Sequence, residues 1–225
     1  VKGTQDVGSA VLRHADHGVD SGSPRGADQI LRVEDIKRAV EDCAREQSEA
    51  VARWHHVEPA LEDPGPPEPD CGAFLRIVLA QHLVNFKLWH VEDRARRTDV
   101  GPEVIAECKY EIDRLNQRRN DLMERVDACL GAMAEPLLPP DVRDRCNTET
   151  VGSALDRLSI MALKVYHMRE QAGRPDADEA HHEACRRKLE VLQSQRRVLL
   201  EAVLELLDEY RQGLKKPRVF YQFKM

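Results

Sequence analysis

Histidine and carboxylate side chains recur three residues apart in three segments of this chain, and these residue types perform proton transfer or bind metals. The segments are HVED ending at Asp93, HMRE ending at Glu170 and EAHH beginning at Glu179. Residues three apart lie on one face of a helix, so His90 and Asp93, like His167 and Glu170, can act together. An imidazole beside a carboxylate suits general acid–base catalysis. The candidate catalytic residues are His90, Asp93, Asp113 and His167.

A second group of polar residues surrounds Arg119, which falls on an otherwise apolar helical seam within the segment DRLNQRRND. A buried guanidinium needs carboxylate or ligand oxygens around its donors, because its desolvation otherwise costs several kcal/mol. Donors and acceptors at nearby heights would suit a phosphorylated or sugar-containing small molecule. The candidate ligand-binding residues are Glu92, Arg96, Asn116, Arg119, Asn120, Asp121, Asp156, Arg157 and Lys164.

Five amphipathic segments with helical periodicity must position these side chains. They cover about residues 33–57, 72–97, 102–134, 148–171 and 178–213, and the proline-rich stretch 58–70 between the first two predicts an extended connector. Residues 1–28 lack apolar periodicity and predict a disordered leader, which leaves 29–225 as a single helical-bundle domain. We predict an all-α fold, an antiparallel up-down bundle of four long helices with one N-terminal helix packed against it.

Helix direction then predicts which side chains share a level. Antiparallel helices rise about 1.5 Å per residue from each turn, which puts His90, Asp113 and His167 in one polar layer. The same reasoning puts His55 at the opposite end of the bundle, away from that layer. An aromatic residue precedes each of His55, His90 and His167, a recurrence more typical of the rim of a core than of a stacking platform.

Composition excludes several classes of protein. With 33% charged residues, no apolar run reaches the roughly 18 residues of a membrane span. The formal net charge of −6 makes nucleic acid an unfavourable partner. The six scattered cysteines form no CxxC pair, and no signal peptide is evident, so we expect free thiols and a cytoplasmic location.

Three interpretations of the polar layer remain open at this point. The first is a pocket for an anionic or sugar-containing molecule, with or without catalysis. The second is a structural layer of ion pairs in a non-catalytic adaptor or scaffold that docks a protein partner. The third is a metal-carboxylate bundle, in which Glu179 and His182 supply the only glutamate-histidine pair in the usual order. No residue is assigned as a metal ligand, and no cofactor is identified.

Two motifs carry a resemblance to a known family. LWHVED (88–93) and NQRRND (116–121), followed by LDRLSIMALKVYHMRE (155–170) and a terminal FKM, resemble the uncharacterised bacterial domain-of-unknown-function family 4254, whose members share LWHxED and NQxRND. The resemblance extends over about residues 34–225 and implies a link to glycan metabolism. It assigns no reaction, and it directs attention to the polar residues of both motifs.

Overall fold

The computed structural model describes residues 31–223, and all of its regular structure in that range is helical. The helices are α1 (Val33–His56), α2 (Cys71–Ala95), α3 (Pro102–Ala134), α4 (Val151–Ala172) and α5 (Glu179–Arg211), with a short 3₁₀ turn at Glu135–Leu137 after α3. This confirms the predicted all-α class. The predicted leader, residues 1–28, lies outside the described residues.

Local chemistry explains where the helices begin. The side chain of Asp70 accepts a hydrogen bond from the backbone N–H of Ala73 (2.9 Å), Thr150 does the same for Ser153, and Asp178 for His181. These are N-cap contacts, which satisfy backbone donors that have no partner within the helix. Pro102 opens α3, where its missing N–H costs nothing.

The direction of α1 follows from the proline-rich connector. The connector lies along α3, where Arg125 Nη1 donates to Asp63 Oδ1 (2.8 Å) and Cys129 Sγ donates to the carbonyl of Glu68 (3.0 Å). Fourteen extended residues span about 46 Å, enough to return past the roughly 36 Å of α1. The chain therefore starts α2 beside the beginning of α1, where Cys71 Sγ donates to the carbonyl of Asp35 (3.8 Å). Helices α1, α2 and α4 run in one direction, and α3 and α5 in the other.

The core lies between these helices and contains mostly aliphatic side chains with two phenylalanines, Phe74 and Phe86. Helix α2 is buried almost all round in its middle, whereas α5 packs mainly against α4 and α1. Within the described part of the chain, no helix is both long enough and apolar enough to cross a bilayer.

The end of α5 is fixed by a glycine. Gly213 has φ +70°, and a Cβ there would approach Pro139 Cγ to 2.5 Å. Its carbonyl accepts a hydrogen bond from the backbone N–H of Arg143 (2.9 Å), which attaches the following segment to the α3–α4 connection. Only glycine combines this backbone conformation with so close an approach.

Candidate functional site

A polar layer crosses the middle of the bundle, and we define it as Gln81, Asn85, Arg119, Asp156 and Ser159. The carboxylate of Asp156 is its centre: it accepts hydrogen bonds from Arg119 Nε (2.8 Å) and Asn85 Nδ2 (3.0 Å), and also from Arg119 Nη2 and Gln81 Nε2. Asn85 Nδ2 also donates to Ser159 Oγ (2.9 Å). Asp156 is only 3% exposed, so its charge is neutralised inside the protein.

The polar layer therefore closes on itself. Hydrogen bonding to Asp156 raises the pKa of Arg119, which keeps the guanidinium charged despite burial. His82, one turn before Asn85 on α2, lies beside Ser159, with 2.7 Å between His82 Nδ1 and Ser159 Oγ. Burial lowers the pKa of His82 to about 3. The ion pair is thus satisfied inside the protein, whereas His82 Nε2 is buried without a hydrogen-bond partner among residues 31–223.

A histidine cluster lies nearer the carboxyl ends of the three parallel helices, and we define it as His55, His90 and His167. The ring centroids of His55 and His90, and those of His55 and His167, are 5.1 Å apart, and those of His90 and His167 are 6.0 Å apart. The rings are nearly perpendicular to one another. Because α1, α2 and α4 run in the same direction, all three histidines reach one level.

Aromatic rings hold the histidine cluster in place. Trp89 stacks on His167 with ring centroids 4.7 Å apart and an interplanar angle of 8°, and Tyr166 stacks on His55 at 4.4 Å and 17°. Phe86 meets His55 and His90 edge to face. Rings packed in this way have little freedom to turn, so the orientation of each imidazole is fixed.

Hydrogen bonds set the tautomers of two of these histidines. His55 Nδ1–H donates to the backbone carbonyl of Val51 (2.7 Å), and His167 Nδ1–H donates to Glu170 Oε2 (2.8 Å). The Nε2 atoms of both rings are buried and have no hydrogen-bond partner among residues 31–223. In the neutral form of each ring, Nε2 therefore carries the lone pair, and protein encloses that atom.

His90 differs from its two neighbours because its pKa is lowered. Burial is the largest cause, and the charges that His55 and His167 can carry add to it, while Glu58 and Asp93 act in the opposite direction. A lowered pKa keeps His90 neutral at physiological pH.

A cavity of about 750 Å³ adjoins the histidine cluster between α2, α4 and α5. Its walls are mainly apolar, with a carboxylate, an imidazole and three cations among them. The lining residues are Trp89, Asp93, Lys164, His167, Met168, Gln171, Arg187, Lys188, Val191 and Leu192. This size and lining are typical of small-molecule sites.

The predicted residues divide among several places, so the expectation of one common layer is wrong. Asp93, Lys164 and His167 line the cavity, and His90 lies next to it in the histidine cluster. Arg119 and Asp156 form the closed polar layer, as the structural interpretation required.

The other predicted residues lie elsewhere. Asp113 is exposed and pairs with Lys109 (2.6 Å), because it projects from the outer face of α3 rather than toward His167. The remaining residues with side-chain partners do not line the cavity: Glu92 and Arg96 bind each other, Arg157 binds Glu149, and Asp121 binds Gln117, while Arg96 also pairs with Asp93. Asn116 and Asn120 are half-buried on α3.

Sequence reasoning missed His55 and the α2 members of the polar layer. The level arithmetic puts His55 at the opposite end of the bundle because it treats α1 as antiparallel to α2, whereas the connector makes the two helices parallel. The repeated aromatic–histidine pair on α1, α2 and α4 was the available signal, since three copies of one dipeptide meet here. Gln81 and Asn85 carried no such signal, because single amides on a buried helix have many uses.

The metal-carboxylate interpretation finds no ligand set in the part of the chain that the structure describes. Among residues 31–223, no three histidine, cysteine, aspartate or glutamate side chains, the histidine cluster included, are arranged to hold a metal ion. His182 Nε2 instead donates to the carbonyl of Arg174 (2.7 Å) at the α4–α5 turn, and its Nδ1 lies 3.8 Å from Glu179.

Comparison with known proteins gives one match. A family model described as "Protein of unknown function (DUF4254)" matches residues 75–219, which include α3, α4, α5 and most of α2. No curated protein and no solved structure matches the chain.

Proposed function

Because the chain belongs to DUF4254, a family of unknown function, we propose its function from the site: it binds a small anionic molecule, phosphorylated or sugar-containing, in the cavity beside the histidine cluster. The observation that carries this proposal is that three residues singled out for their chemistry, Asp93, Lys164 and His167, line one mainly apolar cavity. An apolar cavity with a few convergent polar groups is the usual form of a small-molecule site.

The charges around the cavity favour an anion. Asp93 is the one carboxylate among its lining residues, and it pairs with Arg96 at 2.9 Å. Arg187 pairs with Glu183, whereas Lys164 has no ion-pair partner among residues 31–223. A free ammonium group at the mouth of an apolar cavity can bind a phosphate or carboxylate as a point charge.

The lining residues beside Lys164 suit the remainder of such a ligand. Trp89 and Met168 offer apolar surface, and Gln171 offers an amide donor and acceptor for hydroxyl groups. A ring or short chain would therefore contact α2 and α4 while its anionic group reaches Lys164.

Thermal-shift measurements with hexose phosphates and UDP-sugars test this function. We expect at least one of these compounds to raise the melting temperature of the wild-type protein. Lys164→Met should weaken its binding about 10-fold to 100-fold, the effect of losing a charge-assisted contact worth about 1.5–3 kcal/mol.

Arg169→Gln is the matched control, because Arg169 is an exposed cation on the same helix that does not line the cavity. It should bind as the wild type does. Absence of stabilisation by every compound, or equal loss in both variants, would refute the proposal.

A further inference from the structure

One face of α5 is exposed over much of its length. No residue from Arg186 to Ala202 is buried, although the helix continues through them without a break. Val191 and Val198 are 55% and 56% exposed, among the few large apolar side chains that face water. These two side chains lie two turns apart on one face of the helix, where another molecule can cover both at once.

Six of the exposed residues of α5 lie on one face of the helix, and we define these six as the α5 stripe. Its members are separated alternately by three and four residues, which is the seam spacing of a two-helix coiled coil. The α5 stripe consists of Lys188, Val191, Gln195, Val198, Ala202 and Glu205.

The two ends of the α5 stripe carry opposite charges that nothing on the described part of the chain neutralises. Lys188 and Glu205 form no ion pair among residues 31–223, whereas their neighbours do: Arg187 with Glu183 and Arg197 with Glu201. The helical rise puts about 26 Å between the two free charges, one at each end of the apolar segment.

We propose that a second copy of this chain binds the α5 stripe, with the two α5 helices antiparallel about a twofold axis. In this arrangement Lys188 faces Glu205 of the partner subunit at both ends. Val191 packs on Ala202 of the partner subunit, and Gln195 packs on Val198 of the partner subunit. A parallel pair would set lysine against lysine and glutamate against glutamate, so the charges select the antiparallel form.

The size of the stripe sets the strength expected of this dimer. Six residues from one helix give a small interface, in the range of weak, transient association. Small side chains at Ala202 and Val191 let the two helices approach closely. Lys188 and Val191 also border the cavity, so the partner subunit would form part of its outer wall.

Analytical ultracentrifugation of the ligand-free chain tests the dimer, up to a protein concentration of about 100 μM. We expect a reversible dimer for the wild type. Lys188→Glu and Glu205→Lys should each weaken it at least about tenfold, because each puts like charges together at both ends. The double variant should restore wild-type association, since the pairs re-form with their charges exchanged.

Arg197→Glu is the matched control: it makes the same charge change on the same helix outside the α5 stripe, and it should leave the dimer unchanged. Circular dichroism checks that every variant folds, as expected for exposed positions. A wild-type monomer at all concentrations, or a double variant that stays dissociated while both single variants dissociate, would overturn the proposal. The test uses no ligand, so its outcome is independent of the proposed binding function.

Discussion

The polar layer on α2, α3 and α4 and the histidine cluster on α1, α2 and α4 lie about two turns apart, and they differ in how their polar groups are paired. In the polar layer every strong charge has a buried partner, and Asp156 alone accepts bonds from three residues. In the histidine cluster the Nε2 atoms of His55 and His167 have no partner among residues 31–223, as is also true of His82 Nε2 beside the polar layer, and His167 in addition lines a cavity. Satisfied polarity holds a bundle together, whereas unsatisfied polarity beside a cavity indicates a site.

Loss of the central carboxylate should cause the largest effect and would test the structural role of the polar layer. Asp156→Ala leaves Arg119, Asn85 and Gln81 without their acceptor and Arg119 as an uncompensated charge. We expect a loss of about 3–5 kcal/mol in the free energy of unfolding, measured by urea denaturation. Arg119→Met combined with Asp156→Leu should recover much of it, because both charges are then removed.

A loss below about 1 kcal/mol in the free energy of unfolding of Asp156→Ala is the level of a surface ion pair. Such a result would contradict the structural role of the polar layer. Arg157→Ala is the control for helix α4, since Arg157 is the next residue, is exposed and pairs with Glu149.

The pH dependence of stability should report His82 beside the polar layer. Its folded-state pKa of about 3 lies below the ordinary value of 6.5, so the unfolded chain takes up the proton first as pH falls. The contribution of neutral His82 is therefore fully present above pH 6.5 and is lost progressively toward pH 3.

We expect the wild type to lose about 3 kcal/mol more than His82→Gln between pH 7 and pH 4, because glutamine cannot take up that proton. Urea denaturation of both proteins at matched pH values measures this difference. Parallel pH profiles would mean that His82 can be protonated within the folded protein.

How far the sequence predicts this molecule depends on the range of the interactions. Helix α3 was predicted at 102–134 and observed at Pro102–Ala134, because a first-turn proline and a local heptad pattern define it. The need of Arg119 for carboxylate or ligand oxygens also follows from its position on the apolar seam, although the sequence does not identify Asp156 as the partner. Both inferences need only residues that are close in sequence or that lie on helices consecutive in the chain.

The histidine cluster required information that periodicity does not contain. Whether α1 runs parallel or antiparallel to α2 depends on the path of the connector, and contacts such as Arg125 with Asp63 fix that path. Asp113 shows the opposite kind of error. Its height along α3 can be estimated from the sequence, but it lies on the outer face of the helix and not on the face toward His167. Height follows from residue counts, whereas the face of a side chain depends on which helices pack beside it.

Replacement of His55 by an apolar ring should change stability less than the loss of Asp156, and it should distinguish the histidine cluster from the polar layer. His55→Phe removes a buried Nε2 that has no partner, although it also loses the bond to the carbonyl of Val51. We expect stability within about 1 kcal/mol of the wild type, because the two effects oppose each other. Asn85→Leu in the polar layer should cost more, since it leaves oxygen acceptors of Asp156 and Ser159 unsatisfied.

Thermal unfolding of these two variants at one pH makes the comparison. A loss above about 2 kcal/mol for His55→Phe would show that the cluster is structural in the same sense as the polar layer.

The smallest effect concerns the coupling within the histidine cluster itself. NMR titration of the ring protons should give His90 a pKa below its ordinary value, because burial and the nearby His55 and His167 disfavour its charged form. His55→Gln removes one of these neighbouring charges and should raise the pKa of His90. Asp93→Asn removes a carboxylate that favours the charged form and should lower it. General loosening of the bundle would move the pKa of His90 toward 6.5 in both variants, so it cannot produce shifts in opposite directions. Opposite shifts would therefore show that the three imidazoles and the cavity carboxylate form one electrostatic unit.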